Sequence, residues 1–466
     1  MKSACWLLLV LFTPALALAD PSIVPPQEYP VLRDIVNAVS AQELKVIDTT
    51  LAGFGTRHTL SETQSNTRGI GAARRWVKSQ FQDISRHCGG CIQVITPSQM
   101  MTGTDLPKQG TEIMDVVAIQ KGTTDSDRYI VMTAHLDSRV ANIMNYTSNA
   151  PGADDDGSGV SALMETARVL SRYKFNATIV YSADSGEEEG LYGGKIIAEY
   201  AKSHHWYVET DVNNDMIGNS QGSNGVVDNI HMRIFSEGIT PNVTPAEIKY
   251  MYYHGGEVDS PARQVARYMT VLSRKYIPNL KVMLMYRDDR FGRGGDQMAF
   301  DALGFPAVRV TEAQENFTRQ HNDVKVINGV QHGDLISGVD FEYARKITAL
   351  DAITLASLAW APAPPPAVAI SGAVTPDTHV QWKPAQNAGG YRIYWRATSA
   401  PLWTYSEYVG DVTQHTLKNI SIDNYFFASP ALAVTASKAR LRFQDPAAHS
   451  RNRRRYINED HSDYGQ

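Results

Sequence analysis

Between residues 114 and 311, short apolar, β-branched runs take turns with stretches of helical period, and this alternation constrains the fold more than any other feature of the chain. Met114–Gln120, Tyr129–Ala134, Thr178–Ala183, Trp206–Val212 and Pro306–Thr311 have the length and side chains of strands. Among them Val160, Leu163, Met164 and Ala167 recur at helical spacing, while Gly193–Ser203, Pro261–Tyr276 and Phe341–Leu358 read as helices. Upstream, Val31–Leu51 predicts one helix. Residues 70–86 predict another, with Ile70, Ala73, Trp76, Val77 and Phe81 on one stripe. Strands alternating with helices predict an α/β fold: a doubly wound, mostly parallel sheet with helices on both faces. Such sheets carry their sites beyond the carboxyl ends of the strands.

The chain is long enough for one large enzyme domain and a smaller partner, at 466 residues of which 43% are hydrophobic. A net charge of −5 gives no basic face for nucleic acid. Lys2, the apolar run Trp6–Phe12, Pro14 and the small-x-small site Ala17-Leu18-Ala19 make residues 1–19 a signal peptide, which predicts a secreted or periplasmic protein. That run is shorter than the ~20 residues a membrane span needs, and no other stretch could cross a bilayer. Cys5 leaves with the signal. Cys88 and Cys91 remain as an isolated close pair, which in an exported chain predicts a local disulfide.

Residues 20–360 form the expected main domain. Ala361 to Pro366 then read Ala-Pro-Ala-Pro-Pro-Pro, a stiff linker over residues 361–367. In residues 368–430 the pattern changes: Val368, Ile370, Val380, Trp382, Tyr391, Ile393 and Trp395 alternate with polar residues and turns, as in a small β-sandwich. Trp382 and the run Gly390–Trp395 resemble a fibronectin type III module. Residues 431–466 lose the alternation, contain Arg451-Asn452-Arg453-Arg454-Arg455, and read as an irregular or disordered tail.

The chemistry-bearing residues fall where strands give way to loops. They lie in Ala134-His135-Leu136-Asp137-Ser138, Pro151-Gly152-Ala153-Asp154-Asp155-Asp156-Gly157, Gly186-Glu187-Glu188-Glu189-Gly190-Leu191, Asn214-Asp215-Met216-Ile217-Gly218 and Gln320-His321-Asn322-Asp323. Singly, each has a plain explanation: an acidic triplet is usually a solvated turn or helix cap, and a lone histidine a hydrogen-bonded core residue. Together they are metal-competent donors, all at loop edges. Zinc takes imidazole nitrogen and carboxylate oxygen, so two histidines and three carboxylates can hold two zinc ions if one carboxylate bridges. No cysteine lies near, which excludes a soft-ligand structural site.

The motifs H-L-D-S, P-G-A-D-D-D-x-S-G, G-E-E-x-G-L and D-M in combination resemble the co-catalytic di-zinc aminopeptidases, a family of secreted bacterial leucyl aminopeptidase-like enzymes whose relatives include glutaminyl cyclases and transferrin-receptor-like proteins. The resemblance covers roughly residues 40–360, and the intervals of 20 residues from His135 to Asp155 and 27 from Glu188 to Asp215 agree with it. It implies two Zn2+ ions. Asp155 would bridge them, His135 and Asp215 would complete one position, and Glu188 and His321 the other. Glu187 would be general base and acid, and Asp137 would orient the His135 ring. The implied reaction is hydrolysis of the N-terminal peptide bond of peptides with a free N-terminus, by a water that zinc activates. Alternatives within the same fold are a glutaminyl cyclase-like single-zinc aminoacyltransferase and a catalytically silent binding module.

Two stretches depart from the family pattern. His321 begins His-Asn-Asp where H-T-x-x-D is common, which leaves His332 as a rival ligand. Gly294-Gly295-Asp296-Gln297 stands where a Ser-Asp-His segment is frequent. Tyr253, Tyr286, Phe291 and Met298 are candidates to line a pocket for the first side chain, or are ordinary core or rim residues.

Overall fold

The computed structural model describes residues 29–433 except 242, 386–387 and 429–430. The expected signal peptide and all but three residues of the expected tail lie outside the described residues.

Eight strands build the central sheet: β1 (Ile92–Ile95), β2 (Val116–Gln120), β3 (Asp125–His135), β4 (Ala177–Asp184), β5 (Tyr207–Asn214), β6 (His231–Ser236), β7 (Lys281–Met285) and β8 (Ala307–Glu312). Their order is β1-β2-β4-β3-β5-β8-β6-β7. The pairs β4/β3, β3/β5, β5/β8 and β6/β7 are parallel, and the others antiparallel. The expected mostly parallel α/β sheet is therefore the fold.

The central strands are buried on both faces, and the period of two divides their side chains between two cores. Val116, Ala118, Ile130, Met132, Ala134, Ile179 and Tyr181 face one side. Val117, Val131 and Val180 face the other. Against the first core pack α1 (Pro30–Ala38), α3 (Ile70–His87), α4 (Gly159–Leu170), α7 (Pro261–Tyr276) and α9 (Phe341–Trp360), with Leu51 of α2 (Ala41–Gly53). Against the second pack α5 (Tyr192–Ser203) and α8 (Gln297–Ala302); α6 (Pro245–His254) buries no residue. Among the described residues no helix is long and apolar enough to cross a membrane.

The single helix expected over Val31–Leu51 is two. Val39 and Ser40 are extended, and the Ser40 hydroxyl accepts the Glu43 N–H to cap α2. The Ser40 N–H is itself held by Glu165 of α4 at 2.8 Å. Cys88 and Cys91 form the expected disulfide just after α3.

Beyond α9, strands Ala369–Ser371, Thr378–Gln381 and Gln414–Leu417 form one antiparallel sheet. Tyr405–Gly410, Ala388–Ala397, Tyr425–Ala428 and Ala431–Ala433 form another. Val368, Val380, Trp382, Tyr391, Ile393, Trp395 and Leu417 share one core between them. The last strand extends pairing three residues into the segment expected to be irregular.

Candidate metal centre

Four of the five expected ligands project from the carboxyl edge of neighbouring strands β3, β4 and β5, or from the loop after β3. His135 ends β3, Asp155 lies in the turn before α4, Glu188 follows β4, and Asp215 follows β5. His321 comes from the loop after β8, in the left-handed region at φ 53°.

These side chains converge. His135 Nε2 is 3.0 Å from Asp155 Oδ1 and 3.9 Å from Asp215 Oδ2. His321 Nε2 is 2.9 Å from Asp155 Oδ2 and 3.0 Å from Glu188 Oε2. Two triads result, His135/Asp155/Asp215 and Asp155/Glu188/His321, each with ligand atoms within 4.8 Å of one another. The first is fully buried and the second half-buried, with 32% of the His321 side chain exposed. His332 lies on a hairpin strand and joins neither triad.

The residues fit N/O-coordinated divalent cations. Glu188 Oε1 is buried and accepts no hydrogen bond, so it has an unmet need for a cation or donor. Burial alone would lower the His321 imidazole, but Glu188 and Asp155 beside it reverse that and hold it up to about 11. The pocket thus carries surplus negative charge, which zinc with its preference for imidazole and carboxylate would satisfy.

The frame around the triads is built from polar contacts that link the loops. The Arg57 guanidinium donates to the carbonyls of Leu136, Pro151 and Gly152, tying the His135 loop to the Asp155 loop. Asp334 accepts the N–H groups of Asp154 and Asp155, at 2.8 Å for the latter. Asp156 accepts from the N–H of His135, Gly159 and Met216, so one carboxylate ties three segments and caps α4. The peptide joining Asp155 to Asp156 is cis. Gly152 has φ 54°, and a Cβ there would lie 2.5 Å from Ser138 Cβ and 2.6 Å from the Asp155 carbonyl. No larger residue suits that turn.

Asp137 accepts from the N–H groups of Glu187 and Glu188, at 3.3 and 3.2 Å. His135 Nδ1 is nearer to the Asp137 carbonyl, at 3.2 Å, than to its carboxylate, at 3.7 Å. Asp137 therefore acts on the imidazole through both its carbonyl and its carboxylate, and on the glutamate loop through its carboxylate. Burial pushes the Glu187 carboxyl well above the usual carboxylate range; Asp215 and Glu188 push the same way, and His135 opposes them. Arg57 and Asp334 escaped the sequence reading, which placed Asp155 and Asp156 where a cap for α4 would be useful.

Of the candidate pocket residues, Tyr253 and Phe291 are 70% and 90% exposed. Tyr286 lies under the guanidinium groups of Arg263 and Arg267, and Met298 is half-buried. These are rim and surface positions, not core.

The profile of peptidase family M28 matches residues 115–328. A protein of Leptosphaeria maculans described as a probable zinc metalloprotease is 38% identical over 412 residues, 88% of this chain and 95% of its own. A probable zinc metalloprotease of Pyrenophora teres f. teres is 38% identical over 428 residues, 91% of this chain and 88% of its own. Both sources are fungal, so the likeness is not confined to the bacterial enzymes that the motifs suggested. Among solved structures, the LapA aminopeptidase of Legionella pneumophila aligns with a TM-score of 0.51 and 19% identity over 74% of this chain and 79% of its own, a likeness of fold.

Proposed function

The chain belongs to peptidase family M28, as a zinc metalloprotease, and from that premise we propose that it is an exported aminopeptidase with two zinc ions that removes the N-terminal residue of peptides. One observation carries this reading. The two oxygens of Asp155 meet different histidines, Oδ1 facing His135 and Oδ2 facing His321, so one carboxylate lies between two triads. His135 and Asp215 complete the first position, and Glu188 and His321 the second.

Zinc at these positions supplies a Lewis acid that polarises the scissile carbonyl and lowers the pKa of water. The chain supplies the proton traffic. Glu187 takes the proton of the attacking water at its carboxylate and returns it to the leaving amine. Asp137 sets the position of Glu187 by holding its N–H and that of Glu188. The Arg57, Asp156 and Asp334 contacts keep the donor loops from drifting, so the ligand geometry exists before substrate arrives.

The test is hydrolysis of a panel of aminoacyl reporter amides, each beside its N-acetylated counterpart, with chelator, with zinc restored, and in Glu187→Gln. The free-amine substrates are expected to be cleaved, the blocked ones spared, and activity lost to chelator and regained with zinc. Glu187→Gln should lower kcat by about 10²–10⁴-fold while keeping its zinc. Equal cleavage of blocked substrates would sink the exopeptidase reading, and full activity in the variant would remove Glu187 as base. Two equivalents of zinc by mass spectrometry, and a mature N-terminus at Asp20 in the exported protein, are the remaining expectations.

A further inference from the structure

We propose that Arg309 is a positioning residue that holds one oxygen of Asp215 out of metal coordination, so that Asp215 presents only Oδ2 to the cation shared with His135 and Asp155. The inference rests on the reading of Asp215 as a ligand.

Arg309 is a fully buried guanidinium in the interior of the sheet. Its position follows from register. β8 runs parallel to β5 with Arg309 opposite Asn213 and Val310 opposite Asn214, and the Asp215 N–H reaches the Val310 carbonyl. Arg309 is therefore beside the first residue past β5, where the ligand sits. One terminal nitrogen is 2.7 Å from Asp215 Oδ1 and 3.4 Å from the Asp215 carbonyl. The other is 3.0 Å from Asp289 Oδ2 and 2.6 Å from the Gly294 carbonyl. Asp289 is anchored in turn by Gln297 Nε2 at 3.1 Å and Arg290 Nε at 2.9 Å. The guanidinium cannot swing, because both ends of its planar fork are engaged.

A second observation concerns space. A Cβ on Gly295 would lie 2.5 Å from the Arg309 nitrogen, 2.6 Å from Oε1 of Gln297, the residue that anchors Asp289, and 3.3 Å from Asp289 Oδ2. Gly295 lies in the Gly294-Gly295-Asp296-Gln297 stretch that departs from the family pattern. The departure has a physical meaning: without a side chain at 295 the arginine can pass behind Asp215. Asp215 Oδ1 is thereby paired with the guanidinium in a buried ion pair, and Oδ2, 3.9 Å from His135 Nε2, is the oxygen left for the triad.

Arg309→Lys retains the positive charge but loses the fork, so it separates geometry from electrostatics. The full-length protein is compared with Arg309→Lys and with Gly295→Ala, which crowds the same guanidinium from behind. The readouts are zinc affinity by chelator competition and the visible spectrum of the cobalt(II)-substituted protein. A 10–100-fold loss of zinc affinity at one equivalent is expected in both variants, with an altered cobalt spectrum. If Arg309→Lys fails to fold by circular dichroism, Gly295→Ala decides. Unchanged zinc affinity and an unchanged cobalt spectrum in a folded variant would overturn the proposal. Should wild type bind a single zinc, the two-ion reading falls, while the affinity of that one ion in the variants still judges Arg309.

Discussion

Glu315 gathers three arginines on one carboxylate: Arg233 at 2.7 Å, Arg290 at 3.3 Å and Arg293 at 2.7 Å, with Gln320 adding a hydrogen bond. Burial would raise its pKa, but Arg290 and Arg233 outweigh burial and lower it to about 2. The stabilisation is thus complete above the ordinary value near 4.5 and is lost as pH falls toward 2. Glu315→Gln is expected to cost about 3 kcal/mol at pH 7, read from urea unfolding, with mutant and wild type converging between pH 4.5 and 2. A gap that persists at low pH would show that packing, not charge, is what Glu315 provides. The contrast between Glu315 and the proposed metal ligands explains what was legible in the sequence. His135, Asp155, Glu188, Asp215 and His321 stand in short motifs whose donor chemistry is visible locally. Arg57, Arg309, Asp334 and Glu315 act on partners 20 to 180 residues away or on backbone carbonyls, and nothing in their immediate neighbours announces this.

At the scale of elements, periodicity recovered the buried strands and the long amphipathic helices, because burial on one or two faces writes itself into residue spacing. It failed where the signal is carried by a cap or an edge. Ser40 interrupts an apolar pattern that runs on through both α1 and α2, and only the Ser-x-x-Glu spacing marks the break. Strands β1, β6 and β7 escaped notice; β1 and β7 lie at the edges, β7 with every residue at least partly exposed, whereas β6 is interior and mostly buried and its miss has no such explanation. Ser40→Ala is expected to destabilise the protein by about 1 kcal/mol through loss of the α2 cap, read as a lowered urea midpoint with unchanged m-value. The Ser40 N–H bond to Glu165 survives this change, so a much larger loss would mean that the α1–α2 junction itself had come apart.

Across the whole molecule, one carboxylate joins the C-terminal sheets to the main body. One terminal nitrogen of Arg396 donates to both oxygens of Asp259, at 2.6 and 2.8 Å, Asp259 is also 2.7 Å from Arg267, and Trp403 Nε1 donates to Gln264. Arg396 and Arg267 are almost fully buried. Asp259→Ala would leave both guanidinium groups without their anion, which typically costs 3–5 kcal/mol. The expected result is a second, earlier unfolding transition by calorimetry and cleavage by protease within residues 361–367. A single unshifted transition would count against the seam. The proposed metal centre also spans the molecule, though along the chain instead of across an interface. Its last donor, His321, follows its first, His135, by 186 residues, and the five donors come from four connections of the sheet. A nascent chain therefore has no complete second triad until most of the sheet has been synthesised. Zinc-finger folding begins at the ion; a centre whose donors are gathered by paired strands would instead take its ion after the sheet has formed.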